Sequence, residues 1–332
     1  MARALRIWLT GAMMAVAAFG YALSAGSVPI DAAQVLAALL GHASVAGDVA
    51  DIVFGLRLPR ALAAFAVGAL LALAGVLMQT LMRNALADPY LLGVSGGAAV
   101  GALMAILAGA AAVVVHMGAG VGALLAASFV LSLGRGGLDD EFAPGAGQRL
   151  LLSGVALASV TGAVVALILS VAPEAQLRGM LFWLIGDLAG AGDWRLPWLA
   201  LLVALLAITP QARALNVLAR GELIAASLGV NVRRLRLTVL AVAALGTAAA
   251  VATAGTIGFV GLIAPHMVRL AIGNDQRILL PAAALFGGAL LLLADTLART
   301  VAAPMQLPTG ALMALIGAPV LLALLWKREH GH

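Results

Sequence analysis

Residues 237–265 contain no charged side chain over 29 consecutive positions, and this run is the strongest constraint on how the chain can fold. About 20 apolar residues in an α-helix are enough to cross the hydrocarbon of a bilayer. Across the chain, 64% of the 332 residues are hydrophobic and 10% are charged, whereas soluble domains carry about 25% charged residues. One aqueous core cannot bury so much apolar surface. The sequence therefore predicts an all-α, polytopic membrane protein.

About ten apolar segments are predicted to cross the membrane as one transmembrane domain over residues 1–332. Nine of them are 7–26, 61–82, 91–115, 117–134, 150–172, 196–212, 237–255, 278–298 and 307–326. The tenth is a short helix that follows a turn near Gly255–Gly258, because the uncharged run is too long for one crossing and too short for two. The first segment also resembles a signal peptide, but the many later spans favour a retained helix.

Two further segments are predicted to be helical without crossing. Residues 27–56 contain apolar residues at helical spacing and are predicted to lie at the membrane surface. Residues 177–194 hold only a short apolar run and are predicted to form a half-helix at the outer face. Residues 135–149 are polar and rich in glycine, which predicts a loop.

The basic residues indicate an orientation. If both termini lie in the cytoplasm, 14 of the 19 Lys and Arg residues fall on the cytoplasmic side and 5 on the other. This excess agrees with the positive-inside rule. The polar segment 213–236 then faces the cytoplasm.

Composition also excludes several kinds of chemistry. The chain has no cysteine, which rules out disulfides, thiolate catalysis and Cys-ligated metals, and its one lysine, Lys327, is not part of a P-loop. Its basic residues are scattered between apolar spans, so the pI near 10.9 reflects membrane topology and not nucleic-acid binding. His42 and His116 are expected in outer loops and His266 at a helix start, so no metal site is predicted.

The stretch "GELIAASLGVNVRRL", residues 221–235, interrupts the apolar pattern. Glu222 suits the N-terminus of a two-turn helix, Gly229 is a good C-terminal stop, and Asn231 can cap a second short helix. The pattern favours a compact helix-turn-helix at the cytoplasmic face. An ordinary loop anchored by arginines at the membrane interface is the alternative.

Two other groups of charges stand close to span ends. "RLPR", residues 57–60, places two guanidiniums just outside the membrane, with Pro59 stiffening the turn between them. Snorkelling to the interface explains such arginines equally well. Asp295 lies one helical turn before Arg299, which favours an intrahelical ion pair over a proton-relay carboxylate.

Six stretches, in order, carry a resemblance to a known family. They are "RLPR" at 57–60, "GALLALAGVLMQTLMRNALADPYLLGVSGGA" at 68–98, "GELIAASLGV" at 221–230, "GTIGFVGLIAPHMVRL" at 255–270, "ADTLAR" at 294–299 and "LPTGALMALIGAP" at 307–319. On these motifs the chain resembles FecCD-type permease subunits of ATP-binding cassette (ABC) importers, which handle iron-siderophores, haem and cobalamin. It departs from the family pattern at Ala85 and Thr309, where proline and valine are more usual.

The resemblance implies three sets of functional residues. ATPase coupling is expected at Gly221, Glu222, Ala225, Ser227, Leu228 and Gly229, within coupling helices at 213–236. Docking of acidic residues on a substrate-binding protein is expected at Arg57, Arg60 and Arg299, since the guanidinium fork binds carboxylates in a bidentate manner. The translocation pathway is expected at Ser153, Ser159, Thr161, Thr309 and Met313, although small residues in the fifth span also suit plain helix packing.

The resemblance also implies an assembly in the bacterial inner membrane. The expected partners are a second copy of the chain, two ATP-binding subunits, a periplasmic binding protein and the lipid bilayer. ATP and Mg²⁺ would bind the ATPase, and this chain would bind no cofactor and catalyse no reaction. The alternative is a secondary transporter driven by an ion gradient, which would usually show a charged or broken-helix site at mid-membrane. A membrane-embedded enzyme would need paired catalytic groups at one depth, and the sequence shows none.

Overall fold

The computed structural model describes residues 2–26, 28, 30–41, 47–138, 146–191 and 193–329, and among these it contains helices and no strand. Three short irregular helical turns join the α-helices: a π-helical turn at Ile52–Arg57 and 3₁₀ turns at Pro89–Leu92 and Thr209–Gln211. The α-helices are α1 (Ala2–Ser24), α2 (Ala32–Leu39), α3 (Gly47–Asp51), α4 (Leu58–Leu81), α5 (Val94–Leu107), α6 (Ala112–Leu138), α7 (Ala146–Val171), α8 (Glu174–Ile185), α9 (Arg195–Ile208), α10 (Ala212–Leu218), α11 (Glu222–Ser227), α12 (Val232–Ala254), α13 (Val260–Ile272), α14 (Gln276–Thr300) and α15 (Thr309–Glu329).

Seven stretches of the described chain are long and apolar enough to cross a membrane, and three shorter apolar helices accompany them. The seven are Arg6–Ser24, Gly47–Leu81, Ala112–Ser132, Leu152–Val171, Arg195–Leu218, Val232–Ala254 and Gln276–Thr300. The three are Val94–Leu107, Val260–Ile272 and Thr309–Ala323. Each overlaps one of the ten predicted segments, which confirms an all-α polytopic protein and leaves the count of ten approximate.

Helix α4 is the centre of the bundle. Its side chains are buried almost without interruption from Ala61 to Thr80, and it packs against α9, α12, α13 and α14. A helix that is apolar on all sides is typical of such a central position. One buried apolar core extends from Ala18 in α1 to Met313 in α15.

Glycines permit the closest helix contacts. A Cβ atom at Gly68 of α4 would lie against the carbonyl oxygen of Gly287 in α14. Between α5 and α6, Gly97 faces Gly122 and Gly101 faces Gly118 in the same way. Small residues at a spacing of four allow helix backbones to meet in a membrane, where apolar burial alone does not drive association.

The region 27–56 differs from the predicted single surface helix. It contains α2, then α3, and α3 runs through the π-helical turn directly into α4. Pro59 therefore lies inside a continuous helix and not in a turn between Arg57 and Arg60. Proline lacks the N–H for an α-helical hydrogen bond, and the preceding π-helical turn already departs from the α-helical pattern at this point.

Three other boundaries also differ. Helix α5 ends at Leu107 and α6 begins at Ala112, so His116 lies in the second turn of α6 and not in a loop. The charged sequence "VRRLRL" is the start of α12 and not a separate short helix. The predicted loop 135–149 is helical up to Leu138 and from Ala146, and residues 139–145 lie outside the described part.

Two predictions of irregular structure are confirmed. The half-helix is α8, which ends at Gly186. The glycine-rich break lies between α12 and α13, with Gly255 at a φ of 68° and Phe259 at 69°. Tyr90 fixes this break, because its hydroxyl donates to the Ile257 carbonyl at 3.0 Å and accepts from the Ile257 N–H at 3.1 Å.

Candidate functional site

Asp295 is the centre of an arginine cluster that we define as Arg57, Arg60, Asp295 and Arg299. The carboxylate lies in α14 and is 1% exposed. Arg60 donates Nη2–H to Oδ1 at 2.7 Å and Nε–H to Oδ2 at 3.0 Å, and the Thr309 hydroxyl donates to Oδ1 at 3.0 Å. One carboxylate therefore links α4, α14 and the start of α15.

Arg299 and Arg57 also have partners within the chain. Arg299 Nε lies 3.8 Å from Asp295 Oδ2, which confirms the predicted intrahelical pair, and its Nη2 donates to the Ala22 carbonyl. Arg57 is 5% exposed and donates to the carbonyls of Leu23 at 2.6 Å and Ser24 at 2.8 Å. These bonds hold the end of α1 against the α3–α4 helix.

The arginine cluster borders a cavity of about 330 Å³. Arg57, Arg60 and Arg299 line it together with Gln306, whose Oε1 accepts from Arg60 Nη1 at 2.9 Å. The structure thus brings the three predicted docking arginines to one place. A carboxylate from a partner would have to replace, or add to, the internal acceptors that each guanidinium already has.

A second polar network lies at the other end of α4. Gln79 donates to the Gly261 carbonyl at 3.1 Å and accepts from Arg269, and Gln276 Nε2 donates to the Thr80 hydroxyl at 3.1 Å. These contacts join α4 to α13 and α14. Polar side chains inside a membrane bundle are costly unless they are paired, so this network fixes the register of the three helices.

Asp275 extends this network to α10. Its Oδ1 accepts from Asn216 Nδ2 at 2.8 Å, and the Gln276 N–H donates back to Asn216 Oδ1 at 2.8 Å. Hydrogen bonds from the Arg277 guanidinium, followed by that from Asn216, lower the Asp275 pKa from 3.8 to about 2. The carboxylate is therefore ionised at neutral pH and caps α14.

Residues 213–236 form a folded unit at this end of the bundle. Helix α10 leads through Gly221, at a φ of 134°, into α11. Glu222 pairs with Arg236 at 3.3 Å, which ties the start of α11 to the second turn of α12. Gly229 ends α11 at a φ of 78°, and Asn231 Oδ1 caps α12 by accepting the Arg234 N–H at 2.8 Å. The predicted roles of Gly229 and Asn231 as stop and cap are confirmed.

Helix α11 presents an apolar surface. Leu223, Ile224 and Leu228 are exposed, and Leu228 is exposed to 67%. Ala225 is fully buried and anchors the helix, while the Ser227 hydroxyl donates to the Ile224 carbonyl at 3.0 Å. A short helix held by a buried anchor and an ion pair can carry an apolar contact surface for another protein.

The predicted pathway residues do not form one exposed surface in the single chain. Ser159 is exposed and Ser153 is half-buried on α7. Thr161 and Met313 are buried, with the Thr161 hydroxyl donating to the Leu157 carbonyl at 2.8 Å. Thr309 is also buried, and its hydroxyl donates to Asp295 Oδ1.

The histidines differ from expectation. His116 Nδ1 lies 2.5 Å from the Ala252 carbonyl, so the ring joins α6 to α12. His266 lies in the middle of α13 and not at a helix start, and His42 is outside the described residues. In the described part of the chain, no three His, Asp or Glu side chains are grouped as metal ligands, and the absence of a metal site stays a prediction.

Sequence reasoning missed the network around Gln79, Thr80, Asn216, Arg269 and Gln276. The available signal was polar residues within or beside apolar spans, which in membrane proteins usually pair with one another. It also missed the glycine contacts between α5 and α6, for which the spacings Gly97–Gly101 and Gly118–Gly122 were the signal.

This helical bundle has charged networks at its two ends and an exposed apolar helix beside one of them, and its apolar helices define a multi-pass membrane protein. The chain belongs to the FecCD transport family, which matches residues 13–327 and confirms the resemblance seen in the motifs. It is 41% identical over 320 residues to the hemin transport system permease protein HmuU of Yersinia pestis, covering 92% of each chain.

Two further comparisons agree. The chain is 41% identical over 280 residues to the vitamin B12 import system permease protein BtuC of Escherichia coli O127:H6, covering 83% of each chain. A solved structure of a metal-chelate type ABC transporter in an inward-facing conformation superimposes with a TM-score of 0.81 at 29% identity. That match covers 98% of this chain and 99% of the other.

Proposed function

We propose that this chain is the permease subunit of an ABC importer that moves a bulky metal chelate across the bacterial inner membrane. Haem, a ferric siderophore and cobalamin are the candidate cargoes, and the names of the relatives support the first and the last. The observation that carries the proposal is the exposed apolar surface of α11, which is held rigidly at the start of the α12 span.

The proposed assembly has five chains. Two copies of this permease would pair with two ATP-binding subunits and one periplasmic binding protein. ATP and Mg²⁺ would bind the ATPase, and this chain would contribute no cofactor and no catalytic group. Both termini would lie in the cytoplasm, since the excess of basic residues favours that side for the 213–236 segment.

Coupling to the ATPase is proposed at Gly221, Glu222, Ala225, Ser227, Leu228 and Gly229. In this arrangement Leu228 would enter a cleft of the ATPase, while Ala225 and the Glu222–Arg236 pair keep α11 fixed to α12. Gly221 and Gly229 have positive φ angles that favour glycine and set the direction of α11. Movement of the ATPase would then be passed directly to a membrane span.

Docking of the binding protein is proposed at Arg57, Arg60 and Arg299. All three side chains line one cavity, which supports this role. Because they already form bonds within the chain, a docking partner would have to compete with those bonds. An acidic residue of the binding protein would compete with Asp295 for Arg60 and with backbone carbonyls for Arg57. Docking would then loosen contacts among α1, α4 and α14.

The pathway is proposed on α7 and α15, with Ser153, Ser159, Thr161, Thr309 and Met313 as its candidates. The exposed position of Ser159 suits a surface that faces the second copy or the cargo. Thr161, Thr309 and Met313 are buried in the single chain, so they would reach the cargo only after a rearrangement of the helices.

A substitution at Leu228 tests the proposal. Leu228→Arg places a charge in the proposed apolar contact and should lower ATPase binding at least about tenfold, because a buried leucine contributes about 1.5–3 kcal/mol. Leu270→Arg in α13 is the matched control, since Leu270 is 66% exposed and lies outside the 213–236 segment. Binding is measured by co-purification of each variant with the partner ATPase.

Uptake assays complete the test. Proteoliposomes with the permease, its ATPase and its binding protein should take up radiolabelled cobalamin, hemin or ferric siderophore only when ATP is supplied. Uptake driven by a proton or sodium gradient without ATP would contradict the proposal, as would normal ATPase binding and uptake by Leu228→Arg.

A further inference from the structure

A groove of about 500 Å³ runs along α12 between α6 and the start of α9, where Leu196 lines it. Ala248, Ala249 and Ala252 of α12 form its floor, and Met117, Val121 and Leu124 of α6 form one wall. The small side chains of the floor leave room for an elongated apolar molecule. His116 and Leu124 are eight residues apart, so that wall is about 12 Å long.

The groove lies within membrane-spanning helices. Its walls carry large exposed hydrophobic side chains, including Met117, Val121 and Leu245. Inside a bilayer such side chains contact hydrocarbon, so an occupant of this groove would be an acyl chain and not water. This argument needs only that the chain is membrane-inserted, and it is independent of the transported cargo.

One end of the groove is polar. His116, Asp193 and Thr253 line this end, and the His116 Nδ1–H donates to the Ala252 carbonyl. Arg195 does not line the groove itself but follows two residues after the lining residue Asp193, is exposed, and has its guanidinium 6.0 Å from the ring of Trp194. Tryptophan beside a basic residue at a helix start is typical of the level of lipid headgroups.

The charges at this end match a zwitterion. Asp193 and Arg195 are both exposed and carry opposite charges. The Asp193 carboxylate also accepts the Arg195 backbone N–H at 3.0 Å, which fixes it at the start of α9. A guanidinium suits a phosphate, and a carboxylate suits a primary ammonium group that can donate hydrogen bonds.

We propose that this groove binds a zwitterionic aminophospholipid. One acyl chain lies along α12, the phosphate is bound by Arg195, and the ammonium group is bound by Asp193. The lipid fills the space between α6 and α9 and acts as a structural ligand of the bundle.

Gly120 allows the groove to be filled without disturbing the fold. A Cβ atom at Gly120 would meet only the Ala252 Cβ, at an ordinary contact distance of 3.8 Å. Gly120→Leu therefore occupies the space of the acyl chain. Gly20→Leu in α1 is the matched control, because Gly20 is exposed and a Cβ there meets nothing within 4 Å.

Binding is measured by native mass spectrometry of the full-length chain in detergent, titrated with palmitoyl-oleoyl phosphatidylethanolamine. Gly120→Leu should weaken the apparent affinity at least about tenfold, through loss of the apolar contact. The wild-type chain and Gly20→Leu should bind alike. Equal binding by Gly120→Leu and Gly20→Leu would show that the lipid is held only at the general bundle surface, and would overturn the proposal.

Headgroup selectivity tests the polar end. The wild-type chain should bind phosphatidylethanolamine about fivefold more tightly than phosphatidylglycerol of the same acyl chains, which has no ammonium group, a difference typical of one exposed ion pair. Phosphatidylcholine should also bind more weakly, because its quaternary ammonium group cannot donate a hydrogen bond to Asp193. Asp193→Asn keeps an oxygen that can accept the Arg195 N–H and should remove this preference. Arg195→Gln should weaken binding of all three lipids. Equal binding of the three lipids by the wild-type chain, or an unchanged preference in Asp193→Asn, would refute the headgroup assignment.

Discussion

Asp295 is the residue on which the arginine cluster depends most, because two of the three arginines contact it. It accepts from Arg60 and Thr309 and pairs with Arg299, so three helices depend on one buried carboxylate. A buried ion pair adds little over a well-packed apolar core, but removing one partner leaves an uncompensated charge. Arg60 is the more exposed partner, which leaves it available to a protein that docks at this end.

Asp295→Asn should therefore lower the free energy of unfolding by about 3 kcal/mol, because Arg60 and Arg299 lose the carboxylate that they share, and Arg60 keeps only Asp187, at 3.8 Å, as a charged partner. The control is Asp48→Asn at an exposed position, which should change stability by less than about 0.5 kcal/mol. Unfolding is followed by circular dichroism during denaturant titration in detergent. A stability of Asp295→Asn equal to that of the control would contradict the role of this carboxylate.

Binding-protein affinity, measured on the same purified variants, separates the two roles of the arginines. Arg57→Gln removes a guanidinium that binds backbone carbonyls, so a purely structural role predicts lower stability and unchanged docking by the folded protein. A docking role predicts a loss of affinity that is greatest at low salt.

Glycine contacts decide how closely α5 and α6 approach. A side chain at Gly101 would push against the backbone of Gly118, which cannot move as a flexible side chain can. Among the described residues no side-chain hydrogen bond joins α5 to α6, and both helices are apolar. Their packing therefore depends on backbone proximity.

Gly101→Leu should lower the thermal unfolding temperature in detergent, because overpacking costs typically 1–3 kcal/mol. Gly20→Leu adds the same side chain to α1 where space is open, and should leave that temperature unchanged. Thermal unfolding of both variants is measured by intrinsic fluorescence. Equal unfolding temperatures of the two variants would mean that α5 and α6 can move apart without loss of stability.

The helices and helix ends that depend on hydropathy or on local backbone preference were predictable from the sequence. The apolar segments, the break at Gly255–Gly258 and the stop at Gly229 follow from composition and local backbone preference. The continuation of α3 into α4 could not be predicted, because Arg57 and Pro59 normally mark a helix boundary. Acceptors for the Arg57 guanidinium come from residues more than 25 positions away, and local sequence does not reveal them.

The sequence predicted which residues form the candidate site, but not which partners each of them contacts. The motifs identified Arg57, Arg60 and Arg299 as one functional group, and the structure places them around one cavity. Asp295 was expected to pair with Arg299, its neighbour on the helix, whereas its shortest bond is to Arg60, 235 residues away in sequence. Tertiary packing determines which of two nearby cations a carboxylate binds.

Across the whole molecule, the two polar networks lie at opposite ends of α4. Arg60 belongs to one and Thr80 to the other, and these residues are 20 positions apart on the helix, which corresponds to about 30 Å. That distance equals the usual thickness of the hydrocarbon layer. The networks therefore lie near the two surfaces of the membrane, and the side chains of α4 between them are apolar from Ala61 to Met78.

Cysteine labelling tests this placement. Ser227→Cys should react with an impermeant maleimide only from the cytoplasmic side, and Asp48→Cys only from the opposite side. The natural chain contains no cysteine, so the background is clean, and both positions are exposed. Labelling of intact and of lysed cells distinguishes the sides. Reaction of both cysteines in intact cells would overturn the orientation.

Helix α12 is unbroken from Val232 to Ala254, so it can transmit movement from one end to the other. Its 23 residues make a lever about 34 Å long. At one end the Glu222–Arg236 ion pair attaches α12 to α11. At the other end the Asp187 N–H, in the loop after α8, donates to the Ala254 carbonyl at 2.9 Å. A tilt of about 10° around one end displaces the other sideways by roughly 6 Å. A small angular change at α11 is thus enough to move the loop between α8 and α9 by several ångströms.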